Sequence, residues 1–141
     1  MEIKITKTDK PSVMPSESEL GFGRVFTDHM FLMDYEEGKG WYDARIIPFQ
    51  NLSLHPASTV LHYGAEIFEG LKAYRRQDGG VQLFRPIENF RRMNDSAERL
   101  CLPKIDEKDG LEILETFVKL EKKMGSEIVW DFSVSSTLYV R

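Results

Sequence analysis

The chain has 141 residues, 41% of them hydrophobic and 30% charged, the balance of one folded domain and not of a disordered segment. A net charge of −4, with acids and bases mixed along the chain, lacks the basic stripe of a nucleic-acid binder. Cys101 is the single cysteine, so there is no disulfide framework; with no bilayer-length apolar run and no export leader, the expected setting is cytoplasmic.

Residues 1–20 carry Lys, Ser, Pro and Asp with little periodicity and read as an N-terminal arm, mobile or loosely docked from Lys10 to Ser18. Residues 21–141 read as one small domain. From Val25 to Tyr35 the side chains alternate with period two and are rich in aromatics, which predicts a strand. "EEGKG" supplies a turn, and "WYDARIIPF" returns as the second strand of a hairpin. "NLSLHPAS" is an irregular link. In "LHYGAEIFEGLKAY", Gly64 and Gly70 permit positive φ or close approach, and Tyr63 and Phe68 beside them could wall a small ligand; a plain turn before a strand fits as well.

"LKAYRR" and "VQLFRP" flank "QDGG", a hairpin signal, because tight turns need φ > 0 at their centre. Pro86 suits a first helical turn, and Ile87, Phe90, Met93, Ala97 and Leu100 recur at helical spacing, which predicts an amphipathic helix that Pro103 stops. Leu111, Leu114, Phe117, Val118 and Leu120 mark a second helix, with Lys122 and Lys123 in its last turn and Gly125 as C-cap. "SVSSTLYVR" reads as a final strand whose far edge would stay unpaired, so the chain is expected to be cut from something longer. Two hairpins, two helices and a closing strand predict an α+β domain, mostly antiparallel in its sheet.

Candidate chemistry is sparse. Arg91 and Arg92 are adjacent, hence about 100° apart on a helix, so at most one can enter a site; Arg85 and Arg99 flank them. A guanidinium fork suits phosphate or carboxylate, although a solvated helix face explains the same residues. Tyr139 and Arg141, two apart on a strand, point the same way and could grip a carboxylate; an aromatic followed by an edge charge is the alternative. His29, His55 and His62 lack metal-ligand spacing, His62 reads as structural, and Lys72 alternates with polar neighbours as a solvated residue. Cys101, near an apolar helix end, reads as core. The residues alone thus define an anion-capable α+β domain.

"FGRVFTDHMFLMDY", "RIIPFQNLSLHPAS", "LHYGAEIFEGLKAY", "LFRPIENFRRMNDSAERLCLP" and "TLYVR", in this order, make the chain resemble the branched-chain amino acid aminotransferases, enzymes of fold type IV that use pyridoxal 5′-phosphate (PLP). Sister families on that fold, D-amino acid aminotransferase and aminodeoxychorismate lyase, tend to show "YGDG" or "FGDG" where this chain has Tyr63-Gly64-Ala65-Glu66, which favours the branched-chain members. The resemblance implies the small N-terminal domain of such an enzyme. It implies that Arg92 holds the cofactor phosphate while Arg91 faces water, and that Phe68 walls the pocket for Val, Leu and Ile side chains. It further implies that Tyr63 reaches across a homodimer, and that Tyr139 and Arg141 lie on the substrate side, Arg141 suited to the γ-carboxylate of glutamate. The lysine that bonds PLP would lie in a second domain downstream, so no catalytic residue is expected within this chain and the chain alone is expected to be inactive. Another fold-type IV enzyme, or a stand-alone binding or dimerisation module, remains as an alternative.

Overall fold

A computed structural model of the chain describes residues 1–13, 25–121 and 127–135, the last of these as backbone only. In chain order the elements are β1 (Lys4–Ile5), β2 (His29–Glu36), β3 (Gly40–Pro48), α1 (Thr59–Tyr63), β4 (Glu66–Arg75), β5 (Val81–Leu83), α2 (Pro86–Arg99), α3 (Glu107–Leu120) and β6 (Glu127–Ser135). They form two three-stranded sheets, in order β1-β3-β2 and β5-β4-β6. All pairings are antiparallel except β1 with β3, so the domain is the α+β type expected, with one parallel exception.

The first hairpin forms where "EEGKG" places it, with Gly38 and Gly40 at φ 83° and 84°, a region open to glycine and strained for larger residues. Its first strand begins at His29 and not at Val25: Phe26 lies ahead of it, stacked on Phe49 at 5.2 Å. The pairing also slips between Leu32 and Asp34, an irregularity that takes Asp43 to φ 52°. Asp tolerates the left-handed region better than most residues, and here its carboxylate receives Lys4 at 2.8 Å and Arg45 at 3.0 Å.

The start of the expected arm adds a strand. Lys4 and Ile5 pair in parallel with Arg45 and Ile46, the Met1 ammonium lies 3.0 Å from Glu112, and the Thr8 N–H donates to His29 Nε2 at 2.9 Å. His29 is buried and its Nδ1 pairs with the buried Glu121, which ties β2 to the end of α3. Residues 14–20 of the arm lie outside the described residues.

The second hairpin forms at "QDGG", closed by Arg76 N–H to Gly80 O at 2.8 Å with Gly79 at φ 77°. β6 covers the other edge of β4 along its length, from Glu66 opposite Ser135 to Tyr74 opposite Glu127. β6 runs over "EIVWDFSVS", whose β-branched and aromatic residues suit a pleat, and so takes in the first residues of the strand expected over "SVSSTLYVR". Residues 136–141 are outside the described residues.

α2 begins with Pro86 in its first turn, as the sequence predicts, and ends in a bonded cap ahead of Pro103. Cys101 takes φ 54°, its N–H donates to Glu98 O at 3.2 Å, and the Leu102 N–H donates to Ala97 O at 2.8 Å. That double bond pattern closes a helix with a left-handed residue, normally glycine. It turns Cys101 out to solvent, so Cys101 is exposed and Leu102, its neighbour, takes the core position. α3 starts four residues before its apolar stripe because Asp106 caps it, accepting the N–H groups of Lys108 at 2.8 Å and Asp109 at 3.1 Å. It stops at Leu120 with Glu121 as C-cap; Lys122, Lys123 and Gly125 lie outside the described residues. The core joins Ile67, Leu71 and Ala73 of β4 to Phe90, Met93 and Ala97 of α2 and to Leu114, Phe117 and Val118 of α3.

Candidate anion site on the second helix

β4 decides which side chains can meet α2. Strand side chains alternate between faces, and Ile67, Leu71 and Ala73 point into the core while Glu66, Phe68, Gly70, Lys72 and Tyr74 stand on the exposed face. Glu69 falls on the core face, partly covered by α2. Helical geometry puts Asn89, Phe90, Met93 and Ala97 on the buried side of α2, and Arg92 on its border with solvent, 59% exposed.

Arg92 is not a lone cation. Its Nε–H donates to Glu69 Oε1 at 2.9 Å and an Nη2–H donates to Glu69 Oε2 at 2.9 Å, a two-pronged ion pair. The hydrogen bond from Glu69, and then its charge, hold the Arg92 guanidinium above its ordinary pKa, so it stays protonated. Asn89 Nδ2 donates to Glu69 Oε2 at 2.7 Å and to the Gly70 carbonyl at 3.0 Å. Arg91 points elsewhere, to Glu88 at 3.0 Å and Glu107 at 3.3 Å, and Arg85 also reaches Glu88, at 3.3 Å. The neighbouring arginines therefore divide as the helix angle requires: Arg91 in a surface network, Arg92 beside the strand.

A guanidinium has five N–H donors. Glu69 takes two from Arg92, and among the described residues the Nη1 edge has no partner. That open, exposed edge has the shape and charge to receive a phosphate or carboxylate, so the donor set fits one contact to the phosphate of the cofactor that the resemblance implies.

Tyr63 ends the short α1, 84% exposed, just before Gly64 turns the chain at φ 57°. His62 donates through Nε2 to the Pro56 carbonyl at 2.7 Å and so fastens this turn, a structural role. Gly70 needs no special φ; it sits within β4, where its carbonyl accepts from Asn89. Phe68 is 77% exposed on the open face of β4. Phe68 and Arg92 are thus not side by side: they serve opposite faces of one strand, because Phe68 and Glu69 are consecutive. Tyr139 and Arg141 lie outside the described residues.

Sequence reasoning missed Glu69 and Asn89. A signal was present. In the alternating set Ile67, Glu69, Leu71, Ala73, one acid interrupts an apolar face, and a carboxylate there demands a partner.

No protein-family model matches the chain. Its fold is similar to the crystal structure of the Escherichia coli branched-chain amino acid aminotransferase, with a TM-score of 0.57 and 21% identity over 66% of this chain and 30% of that one, which defines an α+β small domain of that architecture. In sequence it is 54% identical over 122 residues to branched-chain-amino-acid aminotransferase 2 of Bacillus subtilis (strain 168), covering 86% of this chain and 33% of that protein. It is 45% identical over 141 residues to the cytosolic branched-chain-amino-acid aminotransferase of Ovis aries, covering 99% of this chain and 35% of that protein. The chain is a homologue of the branched-chain aminotransferases, matching their N-terminal portion and spanning about a third of the length of these curated relatives.

Proposed function

We propose that this chain is the small N-terminal domain of a PLP-dependent branched-chain aminotransferase, which moves an amino group between L-leucine, L-isoleucine or L-valine and 2-oxoglutarate. Its similarity to aminotransferases along nearly its whole length carries the reading. PLP would supply the carbanion stabilisation that transamination needs. What this domain contributes is placement. Arg92 offers its open guanidinium edge to the cofactor phosphate. Phe68 and Tyr63, both largely exposed, offer apolar surface to a branched side chain, Tyr63 across a homodimer. Tyr139 and Arg141 are assigned to the substrate carboxylate. The lysine that bonds PLP is assigned to polypeptide outside these residues, so the 141-residue chain alone is inactive.

Leu61, Tyr63, Phe68 and Phe84 are large apolar side chains left exposed, and association through them is part of this reading. Among the described residues no helix is long and apolar enough to cross a membrane, and a cytoplasmic setting is proposed in line with the name of the sheep relative.

A chimera tests the function: the matching segment of the Bacillus subtilis relative is replaced by this chain and assayed for leucine-dependent formation of glutamate from 2-oxoglutarate. Turnover is the expected result. A folded chimera that binds PLP but transfers no amino group from leucine overturns the substrate assignment. Leucine turnover by the 141-residue chain with added PLP would overturn the division of labour between domains.

A further inference from the structure

Glu69 is an acid on the apolar face of β4, 15% exposed. Removing a carboxylate from water is unfavourable unless charge and hydrogen bonds replace the solvent. Here they do: Arg92 engages both of its oxygens, and Asn89 adds a third hydrogen bond while anchoring itself to the Gly70 carbonyl. The strand, its backbone and two side chains of α2 therefore lock into one network before any ligand arrives.

The geometry of that lock is informative. A guanidinium has two forked edges of use to an oxyanion, Nε with Nη2 and Nη1 with Nη2. Glu69 occupies the first. An unrestrained, exposed arginine samples many rotamers and loses that freedom on binding; one whose first edge is clamped has lost it already.

We propose that Glu69 is a positioning residue: it grips the Nε edge of Arg92 so that the Nη1 edge is held ready for the cofactor phosphate. The proposal rests on the reading of Arg92 as the phosphate ligand. The arrangement has an electrostatic cost, since the carboxylate offsets part of the guanidinium's attraction for an anion. Its benefit is orientation, which only a carboxylate of the right length can provide.

Titration of the 141-residue chain with inorganic phosphate, followed by side-chain ¹⁵N resonances of arginine, tests it. Phosphate is expected to shift the Arg92 Nη signals while the Nε–H signal keeps its position and slow solvent exchange. Glu69→Asp keeps the charge but withdraws the carboxylate by one methylene; it is expected to weaken phosphate binding about fivefold and to speed Nε–H exchange. If exchange quickens but affinity is unchanged, Glu69 does not position Arg92, and the phosphate assignment survives alone. If phosphate moves the Nε–H signal together with Nη, Glu69 is a competitor for the site and the proposal fails. If saturating phosphate leaves every Arg92 signal in place, the phosphate assignment itself fails and takes the proposal with it. The titration of the unsubstituted chain decides between these outcomes even if Glu69→Asp does not fold.

Discussion

The two faces of β4 carry the same backbone and opposite fates. One buries Ile67, Leu71 and Ala73 beneath α2 and α3 and holds Glu69 in a network of hydrogen bonds. The other leaves Phe68 and Tyr74 in solvent, beside exposed Glu66 and Lys72. The covered face holds the core together with the Arg92–Glu69 pair of the candidate anion site; the open face exposes Phe68. Exposure of a single apolar residue needs no explanation, but Leu61, Tyr63 and Phe84 are exposed as well.

The largest effect expected on the covered face is from Phe90→Ala. Phe90 is 3% exposed and joins β4 to both helices, and emptying such a site costs about 3–5 kcal/mol. Against a typical total of about 5–15 kcal/mol, that is from about a fifth to all of a domain's stability. A urea midpoint lowered by less than a fifth would show that the core closes over the vacancy. Asn89→Ala comes next. It removes the donor shared by Glu69 and the Gly70 carbonyl, and a loss of about 2 kcal/mol is expected for partly buried acceptors left short of a bond. A neutral outcome in the same denaturation would mean that water enters and replaces the amide.

Gly110→Ala sharpens the comparison by setting two principles against each other. Propensity favours alanine inside a helix by about 1 kcal/mol. The new Cβ, however, would stand 2.6 Å from Phe90 Cδ1 and 2.7 Å from its Cε1, so the ring must move within a packed core. Overpacking costs about 1–3 kcal/mol, which leaves a net loss of about 1 kcal/mol. A stabilised variant would show that α3 shifts freely away from α2.

The same contrast explains what could be read from the sequence. Both long helices and both hairpins announce themselves through local signals: the spacing of Phe90, Met93 and Ala97, the stripe from Leu111 to Leu120, and the glycines of the two turns. What escaped was set by partners distant in the chain. Lys4 and Ile5 form a strand only because β3 offers an edge. The early start of α3 depends on a single capping acid, which an apolar stripe does not reveal. Cys101 reads as apolar and is exposed because the helix ends there in a left-handed turn. At the candidate site, the helix angle accounts for Arg91 and Arg92 reaching different partners. It could not supply Glu69, which lies 23 residues away in sequence. Nor could it place Phe68 on the face opposite that ion pair, although strict alternation along "IFEG" already contains that fact.

The smallest expected effect is the one that bears most on the open face. Phe68→Ser removes a ring that is 77% exposed and buries little apolar area, so the stability of the isolated chain should change by no more than about 0.5 kcal/mol. If this face is built to meet a second surface, the same substitution should shift sedimentation of the concentrated chain toward monomer while the denaturation midpoint stays put. The two readouts separate the roles. A midpoint that falls by more than about 1 kcal/mol would make Phe68 part of the fold. An unchanged midpoint with unchanged association would leave the ring without a protein partner, and a substrate side chain would then be the surface it serves.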